Sequence, residues 1–78
     1  MKVPGTYVVQ HHLNGEAPIR VTKPYSSRRN AEREAIAYTE KLSRLSGVGM
    51  VIEVANGAGV ILWSARIVAR YQIELMPV

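Results

Sequence analysis

The strongest periodic signal in the chain lies in residues 27–45, which read SRRNAEREAIAYTEKLSRL. Apolar residues recur there at spacings of four, three, four and three, the period of one helix face; they are Ala31, Ala35, Tyr38, Leu42 and Leu45. Ser26 or Ser27 is suited to cap the start, because a serine hydroxyl accepts a hydrogen bond from a free amide of the first turn. We predict one helix, followed by Gly47 as its C′ residue.

Two strands are predicted before this helix, at Thr6–Leu13 and Ala17–Tyr25, with the turn signal Asn14-Gly15 between them. Apolar side chains fall on the odd positions of both strands, so odd positions must pair with odd positions. A three- or five-residue loop satisfies this pairing, and a left-handed conformation suits Gly15. Pro18 and Pro24 cannot donate hydrogen bonds to a neighbouring strand, so the second strand is predicted at a sheet edge.

A third strand is predicted after the helix, at Val48–Ala55, and the turn Asn56-Gly57-Ala58-Gly59 follows it. A two- or four-residue loop at this turn pairs odd positions with even positions. We therefore expect Val54 opposite Ile61 and Ile52 opposite Trp63.

The last segment alternates without interruption from Ile61 to Leu75, with apolar side chains on its odd positions. A single strand of this length would span roughly 50 Å at about 3.3 Å per residue, longer than a small domain. It either bends near Ser64–Arg66 into a fourth and a fifth strand, or overhangs and pairs with a second copy. No Gly, Pro, Asn or Asp lies between Val60 and Met76, so a tight hairpin is not expected.

These elements predict an α+β fold in a single domain over residues 1–78. Its antiparallel β-sheet of four or five strands packs on one helix, in the order β-β-α-β-β(-β).

Composition excludes several classes of protein. The 78 residues contain no cysteine, which excludes a disulfide scaffold, a cysteine-ligated zinc site and a thiol nucleophile. The longest apolar run is Val60–Trp63, too short to cross a bilayer, and the N-terminal residues do not resemble a signal peptide. We expect a cytoplasmic protein without membrane contact.

The chain offers little for catalysis. His11 and His12 are adjacent on a strand, so they point to opposite faces and are poorly placed to bind one metal ion. The chain contains no aspartate, and its glutamates are scattered. Phosphate-binding glycine motifs are absent from the sequence. We therefore expect no enzyme activity, no metal and no cofactor.

Positive charge is concentrated in one part of the chain. The net charge is +4, and residues 1–47 hold eight Lys or Arg against four Glu, whereas residues 48–78 hold two of each. Cations near a helix start oppose its dipole, which favours a functional reason for them, and such a patch attracts phosphate or acidic protein. The predicted partner-binding residues are Arg20, Lys23, Arg28, Arg29, Arg33 and, as an apolar centre, Ile36.

Apolar residues also occur on the side of the sheet predicted to face away from the helix. They include Val51, Val60, Leu62 and Val68. A sheet with two apolar faces needs cover on both, so we expect a homodimer or a larger partner. The residues predicted for dimer contact or second-face packing are Leu62, Val68 and Tyr71.

The order of elements and several local phrases resemble small anti-CRISPR proteins of phages and mobile elements that act on type I systems. The phrases are Tyr7-Val8-Val9-Gln10, the Ala/Arg/Glu-rich helix from Ser27, and Met50-Val51-Ile52-Glu53-Val54-Ala55-Asn56-Gly57. The resemblance implies a phage-encoded, non-enzymatic inhibitor in the host cytoplasm that binds the Cas proteins of a surveillance complex and blocks target DNA. The basic charge departs from acidic, DNA-mimicking members. The alternative is a basic nucleic-acid-binding regulator that uses the same patch.

Overall fold

The computed structural model describes residues 6–13, 15–45 and 47–78. One helix packs on a five-stranded antiparallel sheet with the strand order β2-β1-β3-β4-β5, which confirms the predicted α+β class. The elements are β1 (Val8–Leu13), β2 (Ile19–Arg20), α1 (Arg28–Arg44), β3 (Met50–Ala55), β4 (Ile61–Ala69) and β5 (Gln72–Leu75).

The first hairpin pairs odd positions with odd positions, as predicted, with His11 opposite Ile19. Gly15 has a φ of +84°, in the left-handed region that glycine adopts without a steric penalty; Asn14 lies outside the described residues. β2 lies at the sheet edge as expected, but it is only two residues long. Pro18 and Pro24 flank it, and neither has an amide to extend the ladder.

The start of α1 is capped by Ser27, whose hydroxyl accepts from the amide of Asn30 at 3.3 Å. Ala31 and Ala35 are fully buried, as predicted, but the buried line continues through Thr39 and Ser43. Their hydroxyls donate to the backbone carbonyls of Ala35 and Glu40, so both can be buried without an unpaired donor. The small side chains of this line form the face of α1 that packs on the sheet.

The predicted end of the helix is wrong in two details. Leu45 is 70% exposed because α1 ends at Arg44, before Leu45 reaches the sheet. Gly47 lies two residues beyond the cap residue Leu45 and does not adopt the left-handed conformation of a C′ glycine. Its amide donates to the Leu42 carbonyl at 3.0 Å.

In the hairpin of β3 and β4, odd positions pair with even positions as predicted, up to Val54, but the residues that lie opposite each other differ from those predicted. Val54 lies opposite Trp63, and a bulge follows, so that Ala55 lies opposite Ile61. The expected pairs of Val54 with Ile61 and of Ile52 with Trp63 are therefore wrong. The Asn56 side chain accepts hydrogen bonds from the amides of Ala58 and Val60, and Gly59 has a φ of +81°. The turn between Asn56 and Val60 therefore consists of residues 57–59, one residue more than a two-residue loop.

The long alternation from Ile61 to Leu75 folds back at Arg70 and Tyr71, which form a two-residue connection between Ala69 and Gln72. This tight hairpin is not predicted by the sequence. Tyr71 has a φ of +65°, and its amide donates to the Ser43 carbonyl of α1 at 3.1 Å. A contact with the helix end therefore supports a turn that the local sequence does not favour, and the strand neither bends at Ser64–Arg66 nor overhangs.

The core lies between the helix and one side of the sheet, which we call the helix face; the other side is called the open face. The cluster consists of Val9, Ala31, Ala35, Ile52, Val54 and Ile67, all fully buried. Partly buried side chains around it include Tyr38, Leu42 and Trp63. Within the described residues, α1 is too short and too polar to cross a membrane.

Candidate functional site

Three of the predicted partner-binding residues lie together on the exposed, outer side of α1, with Ile36 on the flank that faces the edge strand β5. Arg29, Arg33 and Ile36 are all exposed, and spacings of four and three place them in one row along the helix. Ile36 keeps 46% of its surface exposed. We call these three residues the outer helix surface. Arg29 and Arg33 have no ion pair within the described part of the chain.

The Arg28 side chain forms hydrogen bonds with other groups of this protein. Its Nε donates to the Glu32 carboxylate, and its Nη2 donates to the Leu62 carbonyl at 3.3 Å. Leu62 lies where the pairing of β3 with β4 shifts its register, and Arg28 links the helix start to this bulge. Its charge is therefore partly neutralised, and Arg28 is less available to a partner than Arg29 or Arg33.

Arg20 and Lys23 lie away from the outer helix surface. Arg20 pairs with Gln10, whose side chain contacts Glu53 on the open face, so Arg20 is placed on the open side of the sheet. Lys23 is exposed in the connection between β2 and α1. The six predicted partner-binding residues therefore do not form one continuous patch.

A groove beside the outer helix surface was not predicted. It has a volume of about 240 Å³ and runs between α1 and the edge strand β5. Its lining is mainly apolar: Ile36, Thr39, Glu40, Trp63, Ile73 and Leu75. The alternation of the last segment already placed Trp63, Ile73 and Leu75 on one face, but only the hairpin at Arg70 and Tyr71 brings Ile73 opposite Ile67 and closes the groove.

The open face carries a polar cluster where an apolar surface was expected. The amide of Gln10 donates to Glu53 Oε1 at 3.0 Å, and His12 Nε2 lies 3.4 Å from the same oxygen. Arg66 pairs with Glu74 at 3.0 Å. A cavity of about 340 Å³ lies beside this cluster, and its lining includes His12, Glu53, Ser64, Arg66 and Met76. The cluster depends on register, because its members come from four different strands.

The apolar residues expected on the second face do not form one continuous surface. Val51 is nearly buried, Val60 lies outside the strands in the β3–β4 turn, and Val68 is exposed where β4 and β5 shift register. The residues predicted for dimer contact or second-face packing lie apart: Leu62 is half-buried at one bulge, Val68 is at another, and Tyr71 is in the β4–β5 turn. Homodimer formation remains a prediction.

The two histidines point to opposite faces, as predicted. His11 Nδ1 lies 3.2 Å from the Tyr38 hydroxyl on the helix face, and the rings meet edge to face with centroids 5.6 Å apart. His12 joins the polar cluster of the open face. Burial raises the pKa of the Tyr38 phenol. The described residues contain no group of three or more side chains suited to bind a metal ion.

Comparisons with protein-family models, with curated proteins and with solved structures give no match to this chain.

Proposed function

We propose that this protein is a non-enzymatic binding protein that occludes a macromolecular partner through the outer helix surface and the adjoining groove. The observation that carries the proposal is the row of Arg29, Arg33 and Ile36 beside the apolar groove. Protein interfaces are enriched in arginine and centred on apolar side chains that become buried. Ile36 supplies such a centre, since it belongs to both the row and the groove.

We further propose that the partner is a type I CRISPR surveillance complex in the host cytoplasm, and that the protein is phage-encoded. This part rests on the resemblance to anti-CRISPR proteins. The basic outer helix surface fits an acidic region of a Cas protein, because opposite potentials steer association and fix the orientation of the complex. Covering that region would exclude target DNA.

The test is capture of a purified type I surveillance complex by the tagged protein, followed by a target-DNA binding assay. Charge reversal at Arg29 and Arg33 (Arg29→Glu with Arg33→Glu) should abolish both capture and inhibition. The matched control is Arg20→Glu with Lys23→Glu, which makes the same change in net charge on another surface. The control should keep its affinity within about threefold.

Two results would contradict the proposal. If the unmodified protein does not bind the surveillance complex, the proposal that its partner is a Cas protein is disproved. Equal loss in both double variants shows that net charge, rather than the outer helix surface, drives binding.

Nucleic-acid binding is the alternative, and the exposure of Arg20, Lys23, Arg29 and Arg33 favours it. Their placement counts against it, because Arg20 lies on the open side of the sheet whereas Arg29 and Arg33 lie on the outer side of the helix. A salt titration with duplex DNA decides between the two, since affinity for DNA falls by roughly 0.9 log units per log unit of salt for each phosphate contacted. The absence of binding at low salt would exclude this alternative.

A further inference from the structure

β5 forms an open edge of the sheet, and its hydrogen bonding to β4 shows which amides are free. The Met76 amide donates to the Ser64 carbonyl at 2.9 Å, and the Ile67 carbonyl accepts from Gly49, on the β3 side of β4. Bonded and non-bonded pairs alternate along an antiparallel ladder. The backbone groups of Ile73 and Leu75 therefore point away from β4, toward the unoccupied edge.

The other edge of the sheet is protected against strand pairing, and this one is not. β2 has two residues and is flanked by Pro18 and Pro24, which limit pairing along that edge. β5 has four residues and no proline before Pro77. On its helix face, Ile73 and Leu75 line the groove, so a strand added here would bury their side chains.

The charges around the groove indicate what it would accept. Arg29 and Arg33 lie toward the helix start, and at the other end Arg70 Nε donates to the Arg44 carbonyl, with both arginines exposed. Glu40 is the one acid in the lining. An occupant with an apolar centre and an acidic residue at each end is complementary to this arrangement.

The length of the groove agrees with a short strand. The helix rises about 17 Å from Arg33 to Arg44, at about 1.5 Å per residue. A seven-residue extended segment spans about 20 Å between its terminal residues. Its first, third, fifth and seventh side chains would face the groove, because side chains alternate along a strand.

We propose that β5 binds an extended segment of a partner protein as a sixth strand, with apolar side chains in the groove and acidic side chains at both ends. Strand addition takes affinity from backbone hydrogen bonds and specificity from alternate side chains. The inference rests on the proposed function and names the kind of segment that the partner presents.

The test uses the full chain and a capped heptapeptide, Glu-Thr-Val-Thr-Val-Thr-Glu. We expect saturable binding and slower hydrogen exchange at the amides of Ile73 and Leu75, by about tenfold or more, with no change at Arg20 on the other edge. Two matched peptides serve as controls: Lys-Thr-Val-Thr-Val-Thr-Lys reverses the end charges, and Glu-Thr-Thr-Val-Val-Thr-Glu breaks the alternation. Both should bind at least about tenfold more weakly.

A pair of variants at one position tests the backbone contribution. Leu75→Pro removes the outward amide, whereas Leu75→Ala keeps it and shortens the side chain. We expect Leu75→Pro to bind the peptide more weakly than Leu75→Ala. If circular dichroism shows that Leu75→Pro does not fold, the hydrogen-exchange measurement on the unmodified chain is the test of strand addition at β5.

Strand addition at β5 would be overturned by an absence of saturable binding, by protection at β2 instead, or by equal binding of the lysine peptide. Protection of Ile73 and Leu75 in the protein alone, together with sedimentation as a dimer, would show that a second copy occupies the edge. The two proposals fail separately. If the protein captures a surveillance complex but the β5 amides are not protected from exchange, only the proposal of strand addition is disproved. If the protein binds the peptide but captures no surveillance complex, only the proposal of a Cas partner is disproved.

Discussion

The Tyr71 amide donates a hydrogen bond to the Ser43 carbonyl across 3.1 Å and thereby joins the β4–β5 turn to the last turn of the helix. The last carbonyls of a helix have no partner within it. The turn supplies two donors, because Arg70 Nε also donates to the Arg44 carbonyl at 3.3 Å. The same contacts therefore complete the helix end and position β5, on which the proposed binding edge depends.

Substitutions at Tyr71 should show that its backbone conformation is strained. A φ of +65° suits glycine and is unfavourable for a β-branched residue. We expect Tyr71→Val to unfold with a free energy about 1–2 kcal/mol below that of Tyr71→Gly, measured by urea denaturation. Equal stability of the two variants would show that the turn relaxes to another conformation.

The helix-facing side of β4 should dominate stability. Ile67 is fully buried in the core cluster, so Ile67→Ala removes apolar contacts and leaves a cavity. We expect a loss of about 2–5 kcal/mol, a large part of the stability of a small domain, measured by urea unfolding. Ile19→Ala is the control, because Ile19 is 63% exposed; a similar loss there would contradict the assigned core.

The polar cluster of the open face should stabilise the sheet through Glu53. Its carboxylate accepts from Gln10 and contacts His12, and its side chain is only 15% exposed. Glu53→Ala leaves the Gln10 amide without its acceptor and removes the contact with His12, which should cost about 1–3 kcal/mol.

Glu74→Ala is the matched control in calorimetric unfolding of the two variants. Glu74 forms an exposed ion pair with Arg66, and loss of such a pair should cost at most about 1 kcal/mol. A larger effect at Glu74 than at Glu53 would contradict the role of the cluster.

Alkaline pH should weaken the fold through Tyr38. Burial raises the pKa of its phenol above the ordinary value of 10.0, so above pH 10 the unfolded chain releases this proton while the folded chain keeps it. The unfolded state then binds fewer protons, and the free energy of unfolding falls as the pH rises toward the folded pKa. The stabilisation is fully present below pH 10.

Tyr38→Phe removes this ionisation. Above pH 10, the free energy of unfolding of the unmodified protein should therefore fall relative to that of Tyr38→Phe. Urea unfolding at several pH values measures it. Tyr71→Phe, at an exposed tyrosine, is the control. A stability difference for Tyr38→Phe that stays constant with pH would contradict a raised pKa.

Features decided within one segment could be predicted from the sequence. The helix follows from apolar spacing, and its start from a serine hydroxyl at Ser26 or Ser27, of which the structure uses Ser27. The edge position of β2 follows from Pro18 and Pro24. The pairing parity of both hairpins follows from the period of two along a strand. For the candidate site, the same reasoning found the row of Arg29, Arg33 and Ile36, because helix spacing alone places them together.

Contacts between distant segments decided the rest. The turn at Tyr71 has no glycine or asparagine and depends on the Ser43 carbonyl, which lies 28 positions earlier in the chain. The groove needs that turn, and the polar cluster needs Gln10 brought beside Glu53. The sequence alone determined the elements and their parity through local periodicity. Only the tertiary structure decided register, the last turn and the separation of Arg20 from the helix arginines, because these depend on hydrogen bonds that local patterns do not encode.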